Sequence, residues 1–228
     1  MPETACVVRR CCDHGPPNKV FVETTGDQNN RGPELSSGAV VETLATVPTA
    51  SWQDALHEAG HGVIGHACGR HIESITAAAQ PHVRWAPGHY DNLSLFRIAV
   101  SFSGQIGEMS DRRFYRTVSE EVEADFIDRA LEGKVGRCDL CQMALAAWLT
   151  AGQEATRDKA IAAFRQGQSI AIEIATMSRY RAAIHRLARA LMEEETIEGS
   201  RAHEIIAETI RFGDMVCEEE EIPNACKA

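Results

Sequence analysis

The sequence predicts a mainly helical fold, α+β at most, with one small edge sheet and a C-terminal helical bundle. Aromatic residues make up 6% of the 228 residues, while Ala, Leu, Glu and Arg, which favour helices, recur along the chain. From Cys138 onward almost every segment has the apolar spacing of an amphipathic helix. The clearest run of β-branched residues is 71–79 (HIESITAAA), so we expect no more than one small sheet.

Composition divides the chain into three parts. Residues 1–48 contain five of the eight prolines and keep neither a helical nor a strand period, which predicts a loosely ordered N-terminal arm. Residues 213–228 include the run Glu218–Glu221, which predicts an acidic, solvated C-terminal tail. Residues 49–212 between them are numerous enough to form one domain with a buried core.

The first elements of this domain have clear boundary signals. Ser51 and Asp54 have the spacing of a capping box, so the first helix should begin there and end at Gly69. Residues 71–79 should then form a strand. The turn signal Pro87-Gly88 predicts that the stretch around it is a loop.

The rest of the domain should be helical. The second helix is predicted from Asp91 to Met109, and the polar segment 119–133 should form a short amphipathic helix that ends at Gly133. Further helices are predicted over residues 138–150, 154–194 and 200–211.

Charge and cysteine usage narrow the class of protein. The formal net charge of −10 argues against sequence-independent binding to nucleic acid, which needs clustered Lys and Arg. No apolar stretch approaches the roughly 18 residues of a membrane span, and the first residues lack the apolar core that would predict a signal peptide. We therefore expect a cytoplasmic protein, without membrane insertion, whose eight cysteines are reduced.

Residues 57–61 read HEAGH, which matches the HExxH pattern that predicts a metal site on a helix. His57 and His61 are one helical turn apart on the same face, so their imidazoles can converge on one tetrahedral ion. Glu58 lies beside that face, where its carboxylate can take a proton from water activated by the metal. The motif predicts His57 and His61 as zinc ligands and Glu58 as the general base. The alternative is an ordinary pair of histidines on an amphipathic helix.

Helix geometry separates two nearby residues from this site. His66 lies roughly 160° around the helix from the midpoint of His57 and His61, and Cys68 lies about 10 Å further along the axis. We expect His66 to pack or to face solvent and Cys68 to belong to the core. Gly60 costs about 1 kcal/mol relative to Ala inside a helix, which indicates that something packs closely against it.

A catalytic zinc site needs a third protein ligand, and the sequence offers two candidates. Asp139 begins a predicted helix, where its alternative role is a helix cap. Glu123 belongs to the carboxylate-rich segment SEEVEAD, which is equally typical of a solvated helix face. Cys138 and Cys141 have CxxC spacing, for which a redox role or a structural zinc site is the alternative reading.

The sequence resembles the peptidase domain of FtsH-type ATP-dependent zinc metalloproteases in five segments, which are ALHEAGHGVIGHACG, ITAAAQP, RIAVSFSGQIGEM, GRCDLCQMA and ARALMEEETIEGSRAHEII. The resemblance covers about residues 51–212 in the same order. It implies a standalone zinc-peptidase domain in which Asp139 is the third zinc ligand. It also implies that Glu108 is a partner that orients one of the histidines.

The sequence departs from that family in several places. Because the 228 residues contain no GxxxxGK[ST] phosphate loop and no apolar span, we expect neither the AAA+ ATPase module nor the membrane anchor of that family. Cys138 replaces the Asn that usually precedes the ligand Asp, and residues 110–134 resemble an insertion. SEEVEAD is also similar to a segment of another membrane-linked zinc peptidase family whose third ligand is a Glu, so Glu123 stays open as an alternative.

The function expected from the sequence is a Zn²⁺-dependent endopeptidase that cleaves flexible or unfolded polypeptides without its own ATPase. The polypeptide substrate would bind along the predicted strand 72–79 as an added β-strand. One alternative is a catalytically silent, zinc-stabilised interaction module of the same fold. Another is a peptidase subunit supplied by a separate ATPase partner, and a homo-oligomer is compatible with any of these.

Overall fold

The computed structural model describes residues 50–78, 80–88, 94–112 and 114–212. The predicted arm (1–48) and the predicted tail (213–228) lie outside the described residues. Within them the chain is mainly helical and carries one small sheet, so the predicted fold class is confirmed. Of the helices described, none has both the length and the apolar character that a membrane span requires.

Seven α-helices and three short strands form the described part of the chain. In chain order they are α1 (Trp52–Ala67), β1 (Ile72–Thr76), β2 (His82–Trp85), α2 (Ser94–Met109), α3 (Glu120–Leu131), α4 (Asp139–Ala151), α5 (Arg157–Thr176), α6 (Ser178–Glu194), β3 (Thr196–Glu198) and α7 (Gly199–Phe212). Ser51 caps α1 as predicted, because its hydroxyl accepts the backbone N–H of Asp54 at 3.1 Å. Gly69 follows α1 with a φ of 79°, which glycine adopts without strain.

The prediction of one helix over residues 154–194 is wrong. The chain breaks at Met177, whose backbone is extended (φ −71°, ψ 124°) and separates α5 from α6. No glycine or proline marks this break in the sequence. Tertiary packing accounts for it, since α5 packs on α2 and α4 whereas α6 packs on α1 and α7.

The sheet has the strand order β2-β1-β3, and both pairings are antiparallel. Ile75 of β1 pairs with Val83 on one side and with Ile197 on the other. The sequence did not predict β2 or β3, which are four and three residues long. Because both edges of β1 are paired, a peptide cannot add to it, and the expected docking along strand 72–79 is wrong.

Two hydrophobic cores meet along the contact between α1 and α2. One core joins α2, α3, α4 and α5, and the other joins α1, the sheet, α6 and α7. Where α1 crosses α2, a Cβ on Gly60 would overlap the carbonyl oxygen of Ser103, and a Cβ on Gly107 would overlap the carbonyl oxygen of Leu56. The expected close packing against Gly60 is therefore confirmed, and the two backbones touch.

Three histidines, His66, His71 and His203, form a cluster between the end of α1 and α7. His66 Nδ1 lies 2.9 Å from His203 Nδ1, and the backbone N–H of Ile72 donates to His203 Nε2 at 3.3 Å. Nε2 of His203 is therefore unprotonated, so its Nδ1 carries the hydrogen and donates it to His66. The ring centroids of His71 and His203 are 5.7 Å apart. Burial and the neighbouring imidazoles lower the pKa of both His66 and His203.

The close crossing of α1 and α2 predicts a large effect of one methyl group. We expect Gly107→Ala to lower the free energy of unfolding by about 1–3 kcal/mol, because the new Cβ meets backbone that cannot move aside. Urea denaturation of the metal-free protein measures this. The matched control is Gly133→Asn, where φ is 70° and no atom lies near the added Cβ. Asn tolerates a positive φ better than other side chains do, so this substitution should lower stability less than Gly107→Ala does, and equal effects of the two substitutions would contradict the packing argument.

The histidine cluster predicts an acid-sensitive contribution to stability. A histidine whose pKa is lowered on folding is neutral in the native state, but it binds a proton in the unfolded chain below about pH 6.5. The contribution is therefore complete above that pH and is lost as the pH falls. In the presence of a chelator, the decrease in unfolding free energy between pH 7 and pH 5.5 should be smaller for His203→Gln than for the wild type. The exposed His82→Gln is the control, and parallel curves for all three proteins would contradict this.

Candidate metal centre

Helix α1 presents His57 and His61 one turn apart, with Glu58 beside them. The rings form an edge-to-face pair with centroids 4.8 Å apart, and their Nε2 atoms are 3.2 Å apart. Both rings lie against α2, which crosses α1 at glycines and so brings its own backbone close to them.

The outer nitrogen of each ring is held by α2. Nδ1 of His57 lies 2.7 Å from Glu108 Oε1, so Glu108 occupies the orienting position that the resemblance implied. Nδ1 of His61 lies 2.7 Å from the carbonyl oxygen of Val100. A carbonyl oxygen can only accept, so this Nδ1 carries the hydrogen and the Nε2 lone pair faces the centre. Such outer contacts fix the orientation of metal-binding imidazoles.

Asp139 completes the group from the first residue of α4. Its Oδ2 lies 3.0 Å from His57 Nε2 and 3.4 Å from His61 Nε2. The residue before it, Cys138, caps the helix, because its sulfur accepts the N–H of Cys141 at 3.4 Å. Cys138 and Cys141 are both buried thiols in the structure, and this cap accounts for their spacing.

His57, His61 and Asp139 could hold a metal ion. Their three ligand atoms form a triangle with sides of 3.0, 3.2 and 3.4 Å. Around a tetrahedral ion with bonds of 2.0–2.1 Å, neighbouring ligand atoms are about 3.3 Å apart. Two imidazole nitrogens and one carboxylate oxygen are also a donor set that suits zinc and leaves a fourth position for water or substrate.

Gly104 on α2 leaves the room for this group, a role that was not predicted from the sequence. A Cβ at position 104 would overlap His57 Nε2 and would lie 2.6 Å from His61 Nε2. A side chain there would thus fill the space in which the two imidazoles converge. The available signal was the glycine itself, because glycine inside a helix is costly and needs a reason.

Carboxylates dominate the electrostatics of the group. Burial alone would lower the pKa of His57, but the hydrogen bonds to Asp139 and Glu108 outweigh it and raise the pKa to about 10. Burial likewise opposes charge on His61, yet Asp139 raises its pKa above the usual value. The two imidazoles hold the pKa of Asp139 well below its usual range, although burial works in the other direction. The arrangement therefore favours positive charge at its centre, as protons or as a metal cation.

Glu58 is buried, with 4% of its surface exposed, and its side chain is held beside the two histidines. Burial raises its pKa, while the charges of His61 and His57 partly oppose that shift. A carboxylate whose pKa lies above its usual value is a stronger base than an exposed one. Glu58 can therefore accept a proton at the centre.

Glu123, the alternative ligand, does not join this group. It lies on α3 and is buried, and both of its carboxylate oxygens accept from Arg165 Nε, at 2.8 and 3.2 Å. The two residues excluded by helix geometry also lie apart from the group. His66 contacts His203, and burial raises the pKa of the Cys68 thiol to about 11, which disfavours the thiolate that metals bind.

The centre opens into a cavity of about 700 Å³. Its walls come from α1, β2, α2 and the start of α4, and residues 86–88 after β2 add to its rim. Glu58 lines the cavity together with His57, His61 and Asp139, so a ligand in the cavity can reach both the candidate metal-binding atoms and the Glu58 carboxylate.

Comparisons of the chain with protein-family models, with curated proteins and with solved structures each found no match. The interpretation of this centre therefore depends on its own geometry.

The geometry predicts a graded response of metal affinity. With Zn²⁺ added as the probe ion, Asp139→Asn should weaken metal binding by more than about 100-fold, because one of the three atoms that could hold the ion is lost, whereas loss of an outer partner costs about 10–100-fold. Glu108→Gln alters only the partner of His57, so it should lower metal affinity by about 10–100-fold. Glu123→Gln should leave zinc affinity within about 3-fold of the wild type, since Glu123 pairs with Arg165 away from the centre. Competition against a chromophoric chelator measures all three, and a larger effect of Glu123→Gln than of Asp139→Asn would contradict the assignment.

Proposed function

We propose that the protein is a zinc-dependent endopeptidase of the FtsH type that hydrolyses flexible or unfolded polypeptides without its own ATPase. One observation carries the proposal. Two imidazole nitrogens and one carboxylate oxygen converge within 3.0–3.4 Å, with a second, buried carboxylate beside them and an open cavity in front. This combination supplies the ligands, the base and the space that metal-assisted peptide hydrolysis needs.

His57, His61 and Asp139 would hold the zinc ion, which when bound polarises the scissile carbonyl and makes water more acidic. Glu58 takes the proton from the attacking water. It then returns that proton to the leaving amine, so the same carboxylate serves as base and as acid. The burial that raises its pKa makes it a better base for the first step.

Glu108 and Val100 act as positioning groups. Their contacts with the Nδ1 atoms fix both rings, so neither histidine has to search for its orientation when the metal binds. Asp139 contributes negative charge in addition to its oxygen atom, which reduces the net charge of the loaded centre.

Within the described residues, the outer edge of β2 pairs with no other strand and offers a place for an extended substrate. β2 pairs with β1 along one edge, and His82, Val83 and Trp85 of β2 line the cavity. A polypeptide that adds to this edge must present an extended backbone, which a folded protein does not. That requirement supports a preference for flexible or unfolded chains, and the strand that receives the peptide is β2 instead of the strand first expected.

Substitution of Glu58 tests the proposed mechanism directly. Glu58→Gln should lower the rate of casein hydrolysis by a factor of about 10²–10⁴, because the substitution removes the proton acceptor. Zinc content and the circular dichroism spectrum should stay close to those of the wild type, since Glu58 is not among the metal-binding atoms. The matched control is the exposed Glu73→Gln on β1, which should retain full activity.

The outcomes separate the alternatives. A Glu58→Gln variant that cleaves as fast as the wild type would overturn the role of Glu58. A wild-type protein that binds zinc but cleaves no unfolded substrate, with or without ATP, would favour the zinc-stabilised interaction module. Cleavage that needs an added ATPase would favour a peptidase subunit supplied by a partner.

A further inference from the structure

Three arginines line the cavity in front of the metal centre. Arg70 lies in the loop between α1 and β1, Arg97 lies in the first turn of α2, and Arg137 lies two residues before Asp139. They come from three separate segments, so their convergence is a property of the fold and could not be recognised from local sequence spacing.

The charge of this cavity is opposite to that of the whole chain. The protein carries a formal charge of −10. Among the described residues that line the cavity, however, the carboxylates are Glu58 and Asp139, and both belong to the metal centre. A divalent cation bound there would balance these two carboxylates, and the guanidinium groups of Arg97 and Arg137 would then add positive charge to the substrate space.

The arginines are placed where a ligand can reach them. Arg97 and Arg137 are exposed, and no carboxylate in the described ranges forms an ion pair with either of them. Arg70 is half-buried, and its guanidinium stacks on Trp85 of β2 with its Cζ 4.2 Å from the ring centroid. This stacking holds a cation beside the strand edge that would receive a peptide.

We propose that this cavity selects peptides that carry carboxylate groups close to the cleaved bond, and that Arg70, Arg97 and Arg137 recognise those groups. The inference rests on the proposed function in taking the ligand to be a peptide. A guanidinium binds a carboxylate through two parallel hydrogen bonds, so the recognition is geometric as well as electrostatic. The carboxylate can come from an Asp or Glu side chain or from the C-terminus of the substrate chain.

The net negative charge of the protein does not oppose this recognition at short range. At physiological ionic strength the Debye length is about 8 Å, so exposed carboxylates on distant surfaces are largely screened. The groups that line the cavity therefore determine which peptides bind. An acidic peptide gains from the arginines, whereas a basic peptide has to approach three like charges.

The test measures binding apart from cleavage. One unstructured peptide is made with Asp and Glu or with Asn and Gln at the same positions, and each form is made with a free and with an amidated C-terminus. Calorimetric titration into the Glu58→Gln protein gives four dissociation constants. The acidic peptides should bind at least about 10-fold more tightly than the neutral ones, and the difference should shrink as salt is raised.

Matched double variants locate the effect. Arg97→Gln with Arg137→Gln should remove most of the preference for carboxylate. Arg112→Gln with Arg211→Gln changes the net charge by the same amount outside the cavity and should preserve the preference. If the preference follows the free C-terminus instead of the side chains, the arginines bind the end of a substrate chain, which is the second source of the same carboxylate chemistry.

Two results would overturn the inference: equal binding of acidic and neutral peptides, or equal effects of the two double variants. Neither result affects the proposed function, which is tested by cleavage of casein. Conversely, if acidic peptides bind preferentially but the wild type cleaves nothing, the peptidase proposal fails and recognition of carboxylate stands.

Discussion

The direct contact between the backbones of α1 and α2 is the constraint on which the rest of the molecule depends. Gly60 and Gly107 allow the crossing, and Gly104 leaves space at the same interface for the two imidazoles. Because the helices touch, the carbonyl of Val100 and the carboxylate of Glu108 come within hydrogen-bonding distance of the rings on α1. A wider crossing would leave both histidines without the contacts that orient them.

The same contact concentrates charge that has to be balanced. Glu58, Glu108 and Asp139 surround two imidazoles in a largely buried position. Burial of carboxylates is unfavourable unless positive charge accompanies them, which is why the pKa of each histidine is raised despite its burial. A bound divalent cation would supply that positive charge in place of protons. The electrostatics of the centre thus agree with its geometry in favouring a metal.

The sequence predicted the features that depend on local spacing. HEAGH places two histidines and a glutamate on one turn of a helix, and the cap at Ser51 and the stop at Gly69 are equally local. The break at Met177 and the strands β2 and β3 were not predictable in this way, because they depend on packing partners distant in the chain. The choice between Asp139 and Glu123 also needed the fold, since each begins or belongs to a plausible helix. Glu123 pairs with Arg165, which is 42 residues further along the chain, so this ion pair can be recognised only in the folded structure.

The residues proposed for the chemistry and those proposed for substrate binding lie in different parts of the fold. The groups proposed to perform the chemistry lie on three packed helices, where neighbouring side chains and backbone restrict their movement. The groups proposed to bind the substrate lie mostly at the edge of the fold, on the short strand β2 and on the segments that carry Arg70 and Arg137. Loops and edge strands can change in sequence without disturbing the core, so they are suited to set specificity. The scaffold could therefore keep the proposed reaction while substitutions in its rim change which of the proposed polypeptide substrates bind.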